Sequence, residues 1–405
     1  MRVLLAHAFF QIRGGGDIFF FETGRILKQH GHSVAWFSTA SEDNEESEYA
    51  RYFVGPPSYR SSSTVRQVLG LKAMVYSREA KENFAKLISA FRPDVVHAFG
   101  IQTHLSPSIL RAAQEAGVPV VMSCNDYKHI CPNYKLYHHG RICTDCNGGR
   151  FYKAITNRCC KDSWKFSVAS SIEAYAHAAI GVYKKDVDRY LFASGFMAET
   201  TERFWAGQPF VWSMLRNPFD GTKVRARESG DYILFFGRLV EEKGVDVLLS
   251  ALARLPELPL RVVGDGPLLD RLKVQASDLG LRDTQFVGPK WGRELDEVLS
   301  NARFVVVPSV WHENFPYVVL QAFAASKPVV GSDRGGIPEL VQDGRHGSVY
   351  PAHDEEVLAA VLATRWSDQD GTAAMGRAAK RYVDEEFNDE RFYTSLMGIY
   401  RSVLR

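Results

Sequence analysis

A carboxylate, a helix start and an apolar run meet in Glu313-Asn-Phe-Pro-Tyr-Val-Val-Leu-Gln321-Ala-Phe-Ala. Before it, Arg303-Phe-Val-Val-Val-Pro308 reads as a buried parallel strand, and Pro316 sits where a helix begins. A strand thus delivers Glu313 to a helix N-terminus. Unpaired N–H groups and the positive end of the helix dipole favour an anion there, and the carboxylate accepts hydrogen bonds from hydroxyls. One locus suits both halves of a sugar diphosphate, although alone it also fits an ordinary connection with a solvated Glu.

Three further junctions share this logic. Gly237-Arg238-Leu-Val-Glu-Glu242-Lys243-Gly244 leaves a strand with two cations. Arg238 can fork two phosphate oxygens and Lys243 adds a mobile point charge, so together they can neutralise a diphosphate without a metal. Pairing of both with Glu241 or Glu242 is the competing account. Gly14-Gly15-Gly16 ends the first strand and lets backbone approach closely, but lacks the full G-x-G-x-x-G spacing. Gly264-Asp-Gly-Pro267 ends another strand.

The elements that carry these loops alternate. Strands Val3–Ala6 and Val34–Phe37 flank a helix running to about His30. Strands at Asp94–His97 and Val118–Met122 follow, with a polar stretch from Ser41 to Ser63 between the two pairs. A fresh alternation runs through Tyr232–Phe236, Leu260–Gly264, Gln285–Val287, Phe304–Val307, Pro328–Val330 and Ser348–Tyr350. We therefore expect an α/β chain of two doubly wound Rossmann-like domains facing a central cleft. They span residues 1–217, with a cysteine-rich insertion at 124–160, and 218–385. A C-terminal helix at 386–405 is expected to pack back on the N-terminal domain.

With 405 residues, 45% apolar and 24% charged, the chain suits two soluble domains. A net charge of +2 and the lack of a basic patch interleaved with aromatics argue against nucleic acid. No apolar run approaches the length of a spanning helix, and Arg2–His7 is too short for a signal peptide, so a cytoplasmic protein is expected. Phe9-Phe10 and Phe19-Phe20-Phe21 flank the first loop. They suit a helix core better than a bilayer, though peripheral contact with the inner face of a membrane stays open.

Taken in order, Gly237-Arg238, Glu242-Lys243-Gly244, Gly264-Asp-Gly-Pro267, Glu313-Asn-Phe-Pro316, Gln321-Ala-Phe-Ala324 and Gly335-Gly336-Ile-Pro338-Glu339 resemble the family-four retaining glycosyltransferases of the GT-B fold. The likeness is dense from Tyr232 to Pro351 and thinner before it. It implies transfer of a sugar from a nucleotide-diphosphate donor, UDP- or GDP-linked, to a glycan, lipid-linked or small-molecule hydroxyl. The anomeric configuration would be retained, and the setting would be polysaccharide or glycoconjugate biosynthesis. No cofactor is required. Arg238 and Lys243 would hold the diphosphate, with Gly15 and Gly16 approaching from the other domain. Glu313 would face the sugar. Asn314, Phe315, Pro316, Tyr317 and Val318 would offer backbone N–H groups, and Gly264 would lie by the nucleotide.

Two positions depart from the family pattern. Gln321 stands where a Glu binds the ribose diol, which keeps an acceptor but loses its charge; weaker or altered donor binding is expected. Asn125 stands where a His contacts the sugar, and it cannot titrate. These departures keep open a non-catalytic nucleotide-sugar sensor or partner, and another GT-B activity such as a nucleotide-sugar epimerase is the alternative among enzymes.

All six cysteines fall between Cys124 and Cys160. In a cytosolic setting, Cys143-Thr-Asp-Cys146 with Cys131 and Cys159, or Cys160, reads as a candidate structural zinc set, with His129 as a spare ligand. Reduced thiols are the competing reading.

Overall fold

Fourteen short strands, most of them apolar on both faces, set the architecture of the described residues. The computed structural model describes residues 1–55, 70, 72–221, 224, 226–227 and 230–404. The expected polar stretch lies outside the described residues from position 56 to 63. The first strands are β1 (Arg2–Ala6), β2 (Ser33–Phe37), β3 (Val95–Ala98), β4 (Val120–Cys124), the pair β5 (Tyr137–His138) and β6 (Arg141–Ile142), β7 (Arg189–Phe192) and β8 (Trp212–Met214). Then come β9 (Tyr232–Phe236), β10 (Leu260–Val263), β11 (Thr284–Gly288), β12 (Ala302–Val307), β13 (Val329–Ser332) and β14 (Gly347–Tyr350).

Two compact units result. One comprises Met1–Leu136, Cys143–Pro218 and Phe392–Arg405; the other comprises Tyr137–Ile142 and Phe219–Arg391. The first holds a parallel sheet in the order β2-β1-β3-β4-β7-β8, the second a parallel sheet in the order β11-β10-β9-β12-β13-β14. Strand order reverses between β1 and β3 in the first unit and between β9 and β12 in the second. Loops leaving the carboxyl ends of neighbouring strands part company there and open a crevice.

Helix α1 (Gly15–Gln29) starts within the triple glycine. Phe10, Phe19 and Phe20 are buried, so most of the aromatic pairs around the first loop are core. The antiparallel pair β5–β6 departs from the expectation that the whole cysteine insertion belongs to the N-terminal domain: it groups with the second unit. The reason is Tyr137, 4% exposed, which joins the apolar core of Ile233, Phe235, Leu239 and Val245. The short strands β5 to β8 carry no long periodic run, so no pattern in the sequence marks them.

The last helix, Asp389–Val403, sends Phe392, Leu396, Met397 and Tyr400 into the core built on Val3, Leu5, Phe19 and Val95. Its Tyr400 hydroxyl lies 2.7 Å from Nδ1 of buried His97, whose Nε2 lies 2.8 Å from Ser123 Oγ. Residues up to Arg391 stay with the second unit, so the helix changes units within its first turn.

Burial holds both His97 and His129 down to about 3 from an ordinary 6.5, the latter against a weaker backbone contact with Asp126. Above pH 6.5 neither state is protonated. Between 6.5 and 3 the unfolded chain takes up protons that the native chain refuses, so stability falls as the pH drops. Each residue should cost about 2 kcal/mol at pH 5. Thermal melts at pH 7.5 and pH 5 check this, with a lower Tm and uptake of protons on unfolding expected at pH 5.

Candidate functional site

In the second unit the loop after β9 and the loop after β12 meet at the order reversal. After β9 the chain makes one tight turn, Glu241–Lys243, then Gly244 in the left-handed region at φ 66° before the helix α2 (Val245–Leu252). A Cβ at Gly244 would stand 2.1 Å from the Pro308 carbonyl oxygen, and Val310 N–H donates to Glu242 O at 3.0 Å. Glycine is therefore what lets the two loops touch. The contact fixes Lys243 over the chain that carries Glu313.

Lys243 Nζ and Glu313 Oε1 are 2.5 Å apart, with side-chain exposures of 20% and 7%. Ser309 Oγ donates to the same carboxylate oxygen at 2.7 Å, and the ammonium lies 5.5 Å from the centre of the Trp311 ring. Burial would raise the Glu313 carboxyl, but Lys243 and the Ser309 hydroxyl outweigh it and hold the group below its ordinary range. Glu313 is thus a buried carboxylate whose charge the part-buried Lys243 stabilises. Gly335, at φ 60°, closes on the Glu313 backbone, and Gly336 N–H donates to Glu313 O at 2.7 Å.

Arg238 contrasts with Lys243. Its side chain is 70% exposed and 4.0 Å from Glu242, a loose contact that leaves the guanidinium free to reach an anion. Pro316 caps helix α3 (Tyr317–Ala324), and Asn314, Phe315, Tyr317 and Val318 form its approach and first turn. Gln321 lies in the second turn, half-buried. Gly264 has a packing duty: at φ 141° its Cβ would lie 1.9 Å from Gly237 O, which ties the loop after β10 to the one bearing Arg238.

The first unit has its own cluster at the β1/β3 reversal. His7 follows β1; its Nδ1 accepts the Gly100 N–H at 3.1 Å, so Nε2 carries the proton and donates to Asp17 Oδ1 at 2.7 Å. Asp17 Oδ2 accepts the Arg13 and Gly14 N–H groups, both at 2.8 Å, and folds the glycine loop over the helix start. A Cβ at Gly16 would lie 3.4 Å from Asn125 Nδ2, so Gly15, Gly16 and Asn125 gather with His7 and Asp17. Burial raises the neighbouring Asp126 carboxyl, against the Lys128 N–H and the charge of Lys128. Sequence reasoning missed His7, Asp17, Ser309 and Trp311. The signal for His7 was present, since a polar residue directly after a buried strand stands at the ligand end of the sheet.

None of the six cysteines forms a disulfide. Cys131, Cys146 and Cys159, all in the first unit, do not bring three sulfurs within 4.8 Å of one another among the described residues.

Comparisons with known proteins bear on the family and the fold. The family model for glycosyl transferases group 1 matches residues 218–382, and that for glycosyltransferase family 4 matches residues 13–203. A sulfoquinovosyl transferase of Arabidopsis thaliana is 26% identical over 316 residues, 74% of this chain and 54% of that protein. A glycogen synthase of Mycobacterium tuberculosis is 31% identical over 249 residues, 59% of this chain and 60% of that protein. The chain thus spans little more than half the length of these relatives. The crystal structure of HepE from Anabaena in complex with UDP superposes with a TM-score of 0.66 at 16% identity, covering 99% of this chain and all of that one, a likeness of fold. The chain belongs to the group 1 glycosyltransferases of family four, with two parallel-sheet α/β domains of the GT-B kind.

Proposed function

We propose that the protein transfers a sugar from a nucleotide-diphosphate sugar to an acceptor hydroxyl, with retention of configuration, in polysaccharide or glycoconjugate assembly. The observation that carries this is the buried Lys243–Glu313 pair at the β9/β12 reversal, beside the start of α3 and an exposed Arg238. Two cations and a helix N-terminus there oppose the charge that grows on a departing diphosphate. Glu313 holds Lys243 in place, and its carboxylate offers acceptor capacity to a sugar hydroxyl. UDP in the related HepE structure supports a uridine donor. The acceptor attacks from the face the diphosphate leaves, and a phosphate oxygen takes its proton.

The two cations should separate in experiment. Arg238→Ala removes an exposed side chain, so kcat/KM should fall at least ~100-fold with the Tm unchanged. Lys243→Ala strands a buried carboxylate and should lower the Tm as well, through a loss of stability of roughly 3–5 kcal/mol, that of a broken buried pair. Full turnover in Arg238→Ala ends the proposal. Product NMR reads the anomeric centre, and inversion contradicts retention.

Gln321→Glu restores a charged acceptor towards a ribose diol. The donor KM should fall several-fold, a gain of about 1 kcal/mol, with kcat little changed. An unchanged or raised KM removes Gln321 from the donor site.

A structural zinc on Cys131, Cys143, Cys146 and Cys159 is a separate proposal. Support comes from backbone N–H groups aimed at sulfur, those of Leu136 and Asn133 at Cys131 and that of Ala154 at Cys146. Burial nevertheless pushes these two thiols up to about 11 and about 12, so an ion must displace their protons and draw the sulfurs together. Metal analysis of protein purified without added zinc should find about one zinc per chain; a trace only ends this proposal.

A further inference from the structure

The helix Trp164–Ile180 in the first unit is inside out. Its buried residues are Ser167, Ser171, Glu173 and His177. Each has a polar partner within the unit: Ser167 Oγ accepts the Cys160 N–H at 3.1 Å, and Ser171 Oγ donates to Phe151 O at 2.9 Å. Glu173 pairs with Lys128 at 2.7 Å, and His177 Nε2 meets Val75 O at 2.8 Å. The opposite side is apolar and open. Trp164 is 59% exposed, Ile172 58% and Tyr175 43%. Trp164, Val168, Ile172, Tyr175 and Ala179 recur at intervals of four, four, three and four, which is one continuous stripe along a helix. Phe166 adds a further aromatic at 40% exposure in the first turn.

Charge in the segment that carries the stripe is predominantly positive. Residues 147–185 contain seven Lys or Arg, at 150, 153, 158, 161, 165, 184 and 185, against two acids, Asp162 and the buried Glu173. The net charge of the whole chain is only +2, so this segment concentrates positive charge that the rest of the chain offsets. An apolar stripe with Trp and Tyr near its ends, bordered by Lys and Arg, is how a helix lies in the headgroup region of a bilayer. A second protein would ordinarily meet such a stripe with its own apolar surface, and the cationic border then gains nothing; anionic headgroups satisfy both features. No described helix is long and apolar enough to cross a membrane.

We propose that Trp164–Ile180 is a membrane-docking helix that seats its stripe in a bilayer containing anionic lipids. This stands independently of the sugar-transfer reading, because its test requires no donor or acceptor. The full chain is sedimented with phosphatidylcholine vesicles containing phosphatidylglycerol and, in parallel, with pure phosphatidylcholine vesicles. Partitioning should be at least tenfold higher on the anionic vesicles, should fall with added salt, and should blue-shift tryptophan emission. The variant Trp164→Ser with Ile172→Glu changes only exposed positions, so its Tm should match the wild type while vesicle binding drops at least tenfold. The proposal is overturned if the wild type stays in solution, if the variant binds as well, or if light scattering shows a dimer that the variant dissociates.

Discussion

A carboxylate taken out of water has to be neutralised or paired, and the loops of the second unit are arranged around that requirement at Glu313. Lys243 supplies the pairing charge and Ser309 a hydrogen bond. To bring Lys243 within reach, the turn after β9 must lie against the chain after β12, which only a residue without a Cβ permits at Gly244. Gly335 plays the same part from the other side, closing on the Glu313 backbone. The glycines, the cation and the acid are thus one mechanical unit. Such a pair adds little net stability over an apolar isostere, while breaking it is costly. Its value lies in fixing the position of charge beside a helix N-terminus.

Much of this was legible in the sequence because parallel strands buried on both faces leave unbroken apolar runs, as in Phe304–Val307 and Leu260–Val263. Once the strands are placed, their carboxyl ends are placed, and Arg238, Lys243 and Glu313 fall at them. What could not be read is which charges pair. Arg238 and Lys243 look equivalent in a loop of alternating charges, yet one is open to solvent and the other is committed to Glu313. That difference arises from loop contact across the sheet, which no local pattern encodes.

The first unit shows the opposite case. Its triple glycine was visible, but the groups that shape it, His7 and Asp17, depend on a strand order that places β1 beside β3, so that Gly100 meets His7. The hairpin at Tyr137–Ile142 was likewise hidden, since one aromatic side chain, Tyr137, decides which core it joins. Cysteine spacing was easy to count and hard to interpret: the thiols are buried within one segment, but sulfur positions follow from turns such as the left-handed Tyr134 and Leu136.

Periodicity also has a blind spot that the helix Trp164–Ile180 exposes. An apolar stripe at helical spacing is ordinarily assigned to the core, and composition cannot say otherwise. Here the core side is set by Glu173, whose pairing with Lys128 holds the polar face inward and so turns Trp164, Ile172 and Tyr175 outward. The same principle that fixes Lys243 therefore acts in the first unit with a different result. A buried acid selects a cation, the pair fixes the rotation of a backbone element, and what that element shows to its surroundings follows.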